Sequence, residues 1–293
     1  LMYASGRIVP EREAAVAALN SGLLLGAGLF ETLRTYGGRP LRLRQHLARL
    51  RASGRVFCIS PGESDDEIAA VIARLIEANG IPDARIRITA TRGPLGEGIS
   101  EGEAPPATLL VTAGGPASYP PELYERGATA VVSDIRANET DPRTFHKTTN
   151  FLANMLALQD ARRARAAEAL RFNSKNRLAE GAISNVFIVS GGRLLTPPVE
   201  DGLLAGITRA AVLELAAEMD VPAEQRSLTI HDLLDAEEVF LTNSIMEVMP
   251  VGRIERHEVG PKGDQSRLGL PGPVTRRLAQ GYKALVARET RPI

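Results

Sequence analysis

Between Ala113 and Pro121 the chain reads Ala-Gly-Gly-Pro-Ala-Ser-Tyr-Pro-Pro, a stretch through which no helix or strand can run. A chain of 293 residues is also too long for one minimal domain. The break therefore predicts a small domain over 1–115, a linker over 116–121 and a larger domain over 122–293.

The elements on either side differ in kind. Leu41 to Leu50 runs into a helix. Asp65 to Asn79 is amphipathic, with Ile68, Val71, Ile72, Leu75 and Ile76 at helical spacing. Ala84 to Thr91 alternates like a half-buried strand, and Ala107 to Thr112 is a second strand. Beyond the break, strands are expected at 128–134, 185–190, 193–196 and 238–242, and helices at 150–166, 208–219 and 273–288. Gly191-Gly192 joins two of these strands and is a strong hairpin signal. No internal repeat is visible.

Charge excludes several classes of partner. Basic and acidic side chains are equal in number, at 35 each, so neither nucleic acid nor an anionic membrane is the expected partner. No apolar stretch reaches the length of a membrane span, and the first residues lack a targeting pattern. A soluble cytoplasmic protein is expected. The single Cys58 excludes an internal disulfide and a cysteine-based metal cage. It sits in the apolar run Arg55-Val-Phe-Cys-Ile59, which predicts a packed core thiol.

Only four lysines occur: Lys147, Lys175, Lys262 and Lys283. Chemistry that needs a primary amine has few candidates. Lys175 lies in a polar turn, Lys262 in a Gly-Pro loop and Lys283 on the charged face of the last helix, so all three read as solvated. Lys147 precedes Thr148-Thr149-Asn150 and the apolar run Phe151 to Leu156. At the entrance to a buried helix its amine would be partly desolvated and nucleophilic. A surface lysine lying along its own stem is the alternative.

The next segment bears on that choice. It reads Glu180-Gly-Ala-Ile-Ser-Asn185-Val-Phe187, then Leu194-Leu-Thr196, then Leu204-Ala-Gly206-Ile207-Thr208-Arg209. This resembles the signature of the class IV pyridoxal-phosphate-dependent aminotransferases, a family of branched-chain aminotransferases, D-amino acid aminotransferases and aminodeoxychorismate lyases. Gly26 to Arg34 resembles the family's N-terminal pocket segment. His46-Leu-Ala-Arg49-Leu50 resembles its phosphate-arginine helix, and Thr242 to Val251 its C-terminal cofactor and substrate turn. Together these cover almost the whole chain in the right order.

The resemblance implies fold type IV, an α/β (α+β) architecture with a small N-terminal α/β domain and a larger C-terminal pseudo-barrel. It implies a homodimer with the site between the domains, and pyridoxal 5'-phosphate as cofactor, with no metal. Lys147 matches the Schiff-base lysine and then the base that moves a proton. Glu180 matches the carboxylate that faces the pyridine nitrogen; a surface glutamate is the plain alternative. Gly206, Ile207 and Thr208 open a helix whose first N–H groups would bind the phosphate. Thr208 could equally be an N-cap. Arg49 would add a planar fork to that phosphate, and Ser244 a further donor. Leu204 matches the apolar side chain against the ring. Phe30, Thr32, Arg34, Arg87, Asn243 and Ile245 map to the substrate pocket, with Arg34 or Arg87 as the cation for a carboxylate. His46 and His146 read as structural. Gly26-x-Gly28 lacks the third glycine and the preceding strand of a dinucleotide fingerprint.

Within the family two activities stand: transamination between an amino acid or amine and a 2-oxo acid, and pyruvate release from aminodeoxychorismate. The spacing from Lys147 to Ala157 resembles D-amino acid aminotransferases and lyases. Branched-chain enzymes usually carry one more residue there and a tyrosine that is missing. The Arg-x-His pair that usually follows Thr-Arg-Gly in D-amino acid enzymes is also missing, since Thr91-Arg92-Gly93 runs into Pro-Leu-Gly-Glu97. Thr32, Arg87 and the Thr242-Asn243-Ser244 turn lean toward the lyases. Transamination is the first expectation because it is the commoner activity, and the lyase is the alternative.

Overall fold

The computed structural model describes residues 1–94, 107–115, 119–260 and 270–291. The expected linker residues 116–118, Glu97 and Lys262 lie outside the described residues. The chain divides into two compact units. One comprises Leu1–Ala117, His146–Asn150 and Arg288–Ile293; the other comprises Ser118–Phe145 and Phe151–Ala287. The segment that carries Lys147 thus belongs to the first unit, although its neighbours in sequence belong to the second.

The first unit is a six-stranded antiparallel sheet backed by helices. Its strands are β1 (Met2–Ala4), β2 (Arg7–Val9), β3 (Gly28–Tyr36), β4 (Arg39–Pro40), β5 (Arg85–Thr91) and β6 (Thr108–Gly114), in the order β2-β1-β6-β5-β3-β4. The short α1 (Ser21–Leu25) precedes β3. Period-two alternation sorts the side chains of β3 to opposite faces. Leu29, Glu31 and Leu33 enter the core with Ile86 and Ile88 of β5 and with Leu109 and Val111 of β6. Against that face pack α2 (Leu43–Phe57) and α3 (Asp65–Asn79) through Leu47, Leu50, Ile68, Ile72 and Leu75. A capping box between Ser64 and Glu67 starts α3. Phe30, Thr32 and Arg34 take the other face, in register with Thr89, Arg87 and Arg85.

Two expectations change here. The helix expected at Leu41 to Leu50 runs on to Phe57, and Cys58 is its C-cap in the left-handed conformation, with φ 52°. That turn points the thiol outward, so Cys58 is exposed rather than packed, and Ile59 enters the core instead.

The second unit is built on a nine-stranded mixed sheet. Its strands are β7 (Ala128–Val132), β8 (Glu168–Phe172), β9 (Leu178–Gly181), β10 (Asn185–Ser190), β11 (Arg193–Thr196), β12 (Ala223–Gln225), β13 (Glu238–Asn243), β14 (Glu247–Ile254) and β15 (His257–Glu258). They run β12-β11-β10-β13-β14-β7-β8-β9, with β15 on β14. β9 also packs on β10, which returns the last strand of the path to its third and curls the sheet. Gly191 and Gly192, both with positive φ, make the β10–β11 turn. The helices are α4 (Pro121–Arg126), α5 (Leu152–Arg163), α6 (Ile207–Glu218), α7 (Ile230–Leu234) and α8 (Pro273–Glu289). Among the described residues no helix is long and apolar enough to cross a membrane.

The start of α5 departs from expectation. It buries a narrow alanine stripe, Ala157 and Ala161, while Leu152, Met155 and Leu156 are 67%, 52% and 44% exposed. Lys147 therefore does not stand at the entrance to a buried helix. It lies in the extended segment before it.

Candidate active site

In the first unit that segment is held beside the start of β3. Phe30 N donates to the Lys147 carbonyl at 2.9 Å and Thr149 N to the Gly28 carbonyl at 2.8 Å. Thr149 Oγ1 and Asn150 Nδ2 both donate to the Gly26 carbonyl. The backbone from Lys147 to Asn150 is thus fixed beside β3, and the Lys147 Nζ stands 4.6 Å from the centre of the Phe30 ring. The Arg87 guanidinium stands 3.8 Å from the same centre and donates from Nε to Thr89 Oγ1 at 3.2 Å. One aromatic ring accordingly faces two cations. Thr32 pairs with Arg87 across the β3–β5 ladder, and Arg34 lies 4.7 Å from the Tyr36 ring.

Arg49 has a partner that the sequence did not announce. Its Nε and Nη2 donate to the two oxygens of Glu31 at 2.8 and 2.7 Å, and His46 Nδ1 meets Glu31 Oε2 at 2.7 Å. Burial would push the Glu31 carboxyl up, but the charge and hydrogen bonds of Arg49, then those of His46, hold it down at about 2. Burial pushes His46 down, and the positive charges of Arg49 and Lys147 add to that against the pull of Glu31. His46 is thus a buried partner of Glu31. An acidic residue between two buried leucines of one strand face, Leu29 and Leu33, was the available signal for this cluster. His146 is half-buried, with Nδ1 2.9 Å from Ser53 Oγ and its ring edge-on to Phe57.

In the second unit the signature residues meet around one carboxylate. Glu180, at the end of β9, is buried; its Oε2 accepts from Leu204 N at 3.1 Å and from Asn185 Nδ2 at 3.4 Å. Asn185 Nδ2 also donates to the Leu204 carbonyl at 2.9 Å. Three residues on, α6 begins. Its N-cap is Gly206, which has no side chain to cap with. A Cβ on Gly206 would come within 2.0 Å of Asn185 Oδ1. Thr208 is not the N-cap; it is the second helical residue and is buried. The β13–β14 turn is braced by Asn243, which donates to the Ile183 carbonyl and accepts from the N–H groups of Ile245 and Met246. Ser244 and Ile245 are half-buried on that turn.

A carboxylate and a helix N-terminus with a glycine N-cap, tied through Leu204 and Asn185, suit a flat ligand with a basic nitrogen at one end and a phosphate at the other. In the first unit, Lys147 Nζ offers an amine and Arg49 a guanidinium. Each set, taken by its own chemistry, fits pyridoxal phosphate.

Comparison with known proteins gives the family. Residues 28–254 match the family model for amino-transferase class IV. The chain is 33% identical over 283 residues to a Methanocaldococcus jannaschii protein provisionally named as a branched-chain-amino-acid aminotransferase, covering 96% of this chain and 95% of that one. It is 30% identical over 290 residues to the D-alanine aminotransferase of Staphylococcus haemolyticus, covering 97% of each. The branched-chain amino acid aminotransferase structure of Escherichia coli superposes with a TM-score of 0.89 at 30% identity, covering 99% of this chain and 95% of that one. The chain belongs to the class IV aminotransferase family, and its fold is fold type IV, as expected from the signature.

Proposed function

We propose that this class IV aminotransferase uses pyridoxal 5'-phosphate carried on Lys147 to move an amino group between an amino acid or amine and a 2-oxo acid. The observation that carries the assignment is the seating of Lys147, with its backbone fixed beside β3 and its Nζ over Phe30. Lys175 is 73% exposed beside Glu139, and Lys283 is exposed on α8.

The cofactor, when bound, supplies an electron sink for the bond broken at the substrate carbon. The protein does the rest. Lys147 Nζ takes the proton from that carbon and returns it. Glu180 holds a proton on the ring nitrogen, and Leu204 covers the ring. The Ile207 and Thr208 N–H groups bind the phosphate, with Ser244 and Arg49. Because Glu31 occupies the Nε–Nη2 edge of Arg49, the phosphate would meet another edge of the guanidinium. For the substrate pocket the family likeness implies Phe30, Thr32 and Arg34 of the first unit and Asn243 and Ile245 of the second. Arg87 is the cation for a substrate carboxylate: no carboxylate of the described residues pairs with it, and it shares the Phe30 ring with Lys147.

A homodimer and cytoplasmic residence belong to the same proposal. The exposed Leu23, Leu24 and Leu25 of α1 and Leu152, Met155 and Leu156 of α5 support the first. The single free Cys58 supports a reducing compartment.

The carbon–carbon lyase would use the same residues. A Legionella pneumophila structure provisionally named as 4-amino-4-deoxychorismate lyase superposes with a TM-score of 0.81 at 24% identity, a likeness of fold. A donor panel separates the two. L-amino acids, D-amino acids and amines are each offered with a 2-oxo acid, beside aminodeoxychorismate alone. Amino transfer from one donor class is expected. Pyruvate and 4-aminobenzoate from aminodeoxychorismate, with no transfer from any donor, would reverse the order.

A further inference from the structure

Strand β8 buries every side chain, and one of them is an arginine. Arg171 is 7% exposed. Its Nε donates to the Ile135 carbonyl at 3.4 Å and its Nη2 to the Arg136 carbonyl at 3.2 Å. Neither acceptor carries a charge, and Arg171 forms no ion pair among the described residues. Burying a cation without a direct partner is costly, so a compensating field is needed.

The register supplies it. Arg171 lies directly opposite Glu180 in the antiparallel β8–β9 pair, and opposed residues share a face of the sheet. Burial pulls the Arg171 guanidinium down, and the charge of Glu180, followed by that of Glu168, pulls it back up. Glu168 already has four donors of its own, at 2.9, 3.1 and 3.2 Å from the Ala169, Ala182 and Ile183 N–H groups and 2.7 Å from Ser184 Oγ. Glu180 accepts from Leu204 N at 3.1 Å and from Asn185 Nδ2 at 3.4 Å. The Arg136 guanidinium lies 5.9 Å from the ring centre of the neighbouring Phe172.

The attraction is mutual: whatever Glu180 does to keep Arg171 charged, Arg171 does to keep Glu180 charged. We propose that Arg171 is a positioning residue for the cofactor's ring nitrogen, acting through Glu180 so that the proton they share stays on the nitrogen and not on the carboxylate. The inference rests on the reading that Glu180 faces that nitrogen. One proton has two places in such a pair. A cation on the carboxylate's own sheet favours the carboxylate anion, hence the protonated ring and the stronger electron sink.

The test uses the holoenzyme loaded with pyridoxal phosphate carrying ¹⁵N in the ring, whose nitrogen resonance reports its protonation. Arg171→Gln keeps donors for the two carbonyls but removes the charge, and Arg171→Lys keeps the charge. The resonance should move toward the unprotonated position in Arg171→Gln and stay near wild type in Arg171→Lys. Arg171→Gln should move the resonance little further once Glu180→Gln is present. An unmoved resonance in Arg171→Gln, with a moved one in Glu180→Gln, overturns the role of Arg171 and leaves that of Glu180 standing. Equal movement in Arg171→Gln and Arg171→Lys also overturns it, since that marks a purely structural effect. No movement in Glu180→Gln overturns the underlying reading as well.

Discussion

Glu31 grips Arg49 along one edge of the guanidinium, at 2.8 Å to Nε and 2.7 Å to Nη2, on the buried face of β3. The pair is the electrostatic keystone of the first unit and makes it sensitive to acid. The Glu31 carboxyl is held at about 2 in the folded chain against 4.5 as a free group. A group lowered in the folded state stabilises it fully above the unfolded value, and that contribution is lost as pH falls through the folded one. The loss therefore runs from about pH 4.5 to about pH 2 and amounts to about 3 kcal/mol. His46, also lowered in the fold, acts in the same direction from below 6.5. Melting temperature measured from pH 7 to pH 2 should fall across that window. Glu31→Gln should melt lower at pH 7 and lose less on acidification. A wild-type melting temperature that does not fall below pH 4.5 contradicts this account.

Replacing Glu180 by Gln should leave the cofactor bound and remove most of the turnover, by at least about a hundredfold. The amide preserves size and the contacts from Leu204 and Asn185, but it cannot hold a proton on a ring nitrogen. Turnover near that of the wild type, with full cofactor occupancy, would remove Glu180 from the mechanism.

Gly206→Ala places a Cβ 2.0 Å from Asn185 Oδ1, and Asn185 is tied to Glu180 and to the Leu204 carbonyl. The amide cannot give way without loosening both. A loss of about 1–3 kcal/mol in stability is expected, together with weaker cofactor retention on dialysis. A variant with unchanged melting temperature and unchanged retention would show that the start of α6 has slack.

Cys58 should react with a thiol reagent in the native protein, at the rate of an exposed thiol and without loss of structure. It caps α2 in the left-handed conformation and is exposed. Labelling only after denaturation would restore the packed position that its apolar neighbours suggest.

That residue marks where the sequence stops being legible. An apolar run says how much is buried, but not where a helix ends, and the left-handed cap at Cys58 reverses its direction. Asp65–Asn79 was legible because its capping box and its apolar spacing agree. The β10–β11 hairpin was legible because two glycines in a row admit few other structures. In the proposed site, Lys147 stood out by scarcity, and Glu180 to Arg209 by its fixed spacing. The partners of these residues did not stand out. Glu31 and Arg171 are charged residues in buried strands, and only the three-dimensional register places one against Arg49 and the other opposite Glu180. The chain's return to the first unit at His146–Asn150 was hidden too, because long-range pairing leaves no local pattern in so short a segment.

The central claim is that Lys147 carries the cofactor, and borohydride reduction of the holoenzyme followed by peptide mapping tests it most directly. Reduction makes the link between amine and cofactor permanent, so the modified lysine can be read from the mass of its peptide. The account predicts one cofactor-derived label per chain, on the peptide that contains Lys147, and no label in Lys147→Ala. Label on Lys175, Lys262 or Lys283, or no stable label on any lysine, would contradict it.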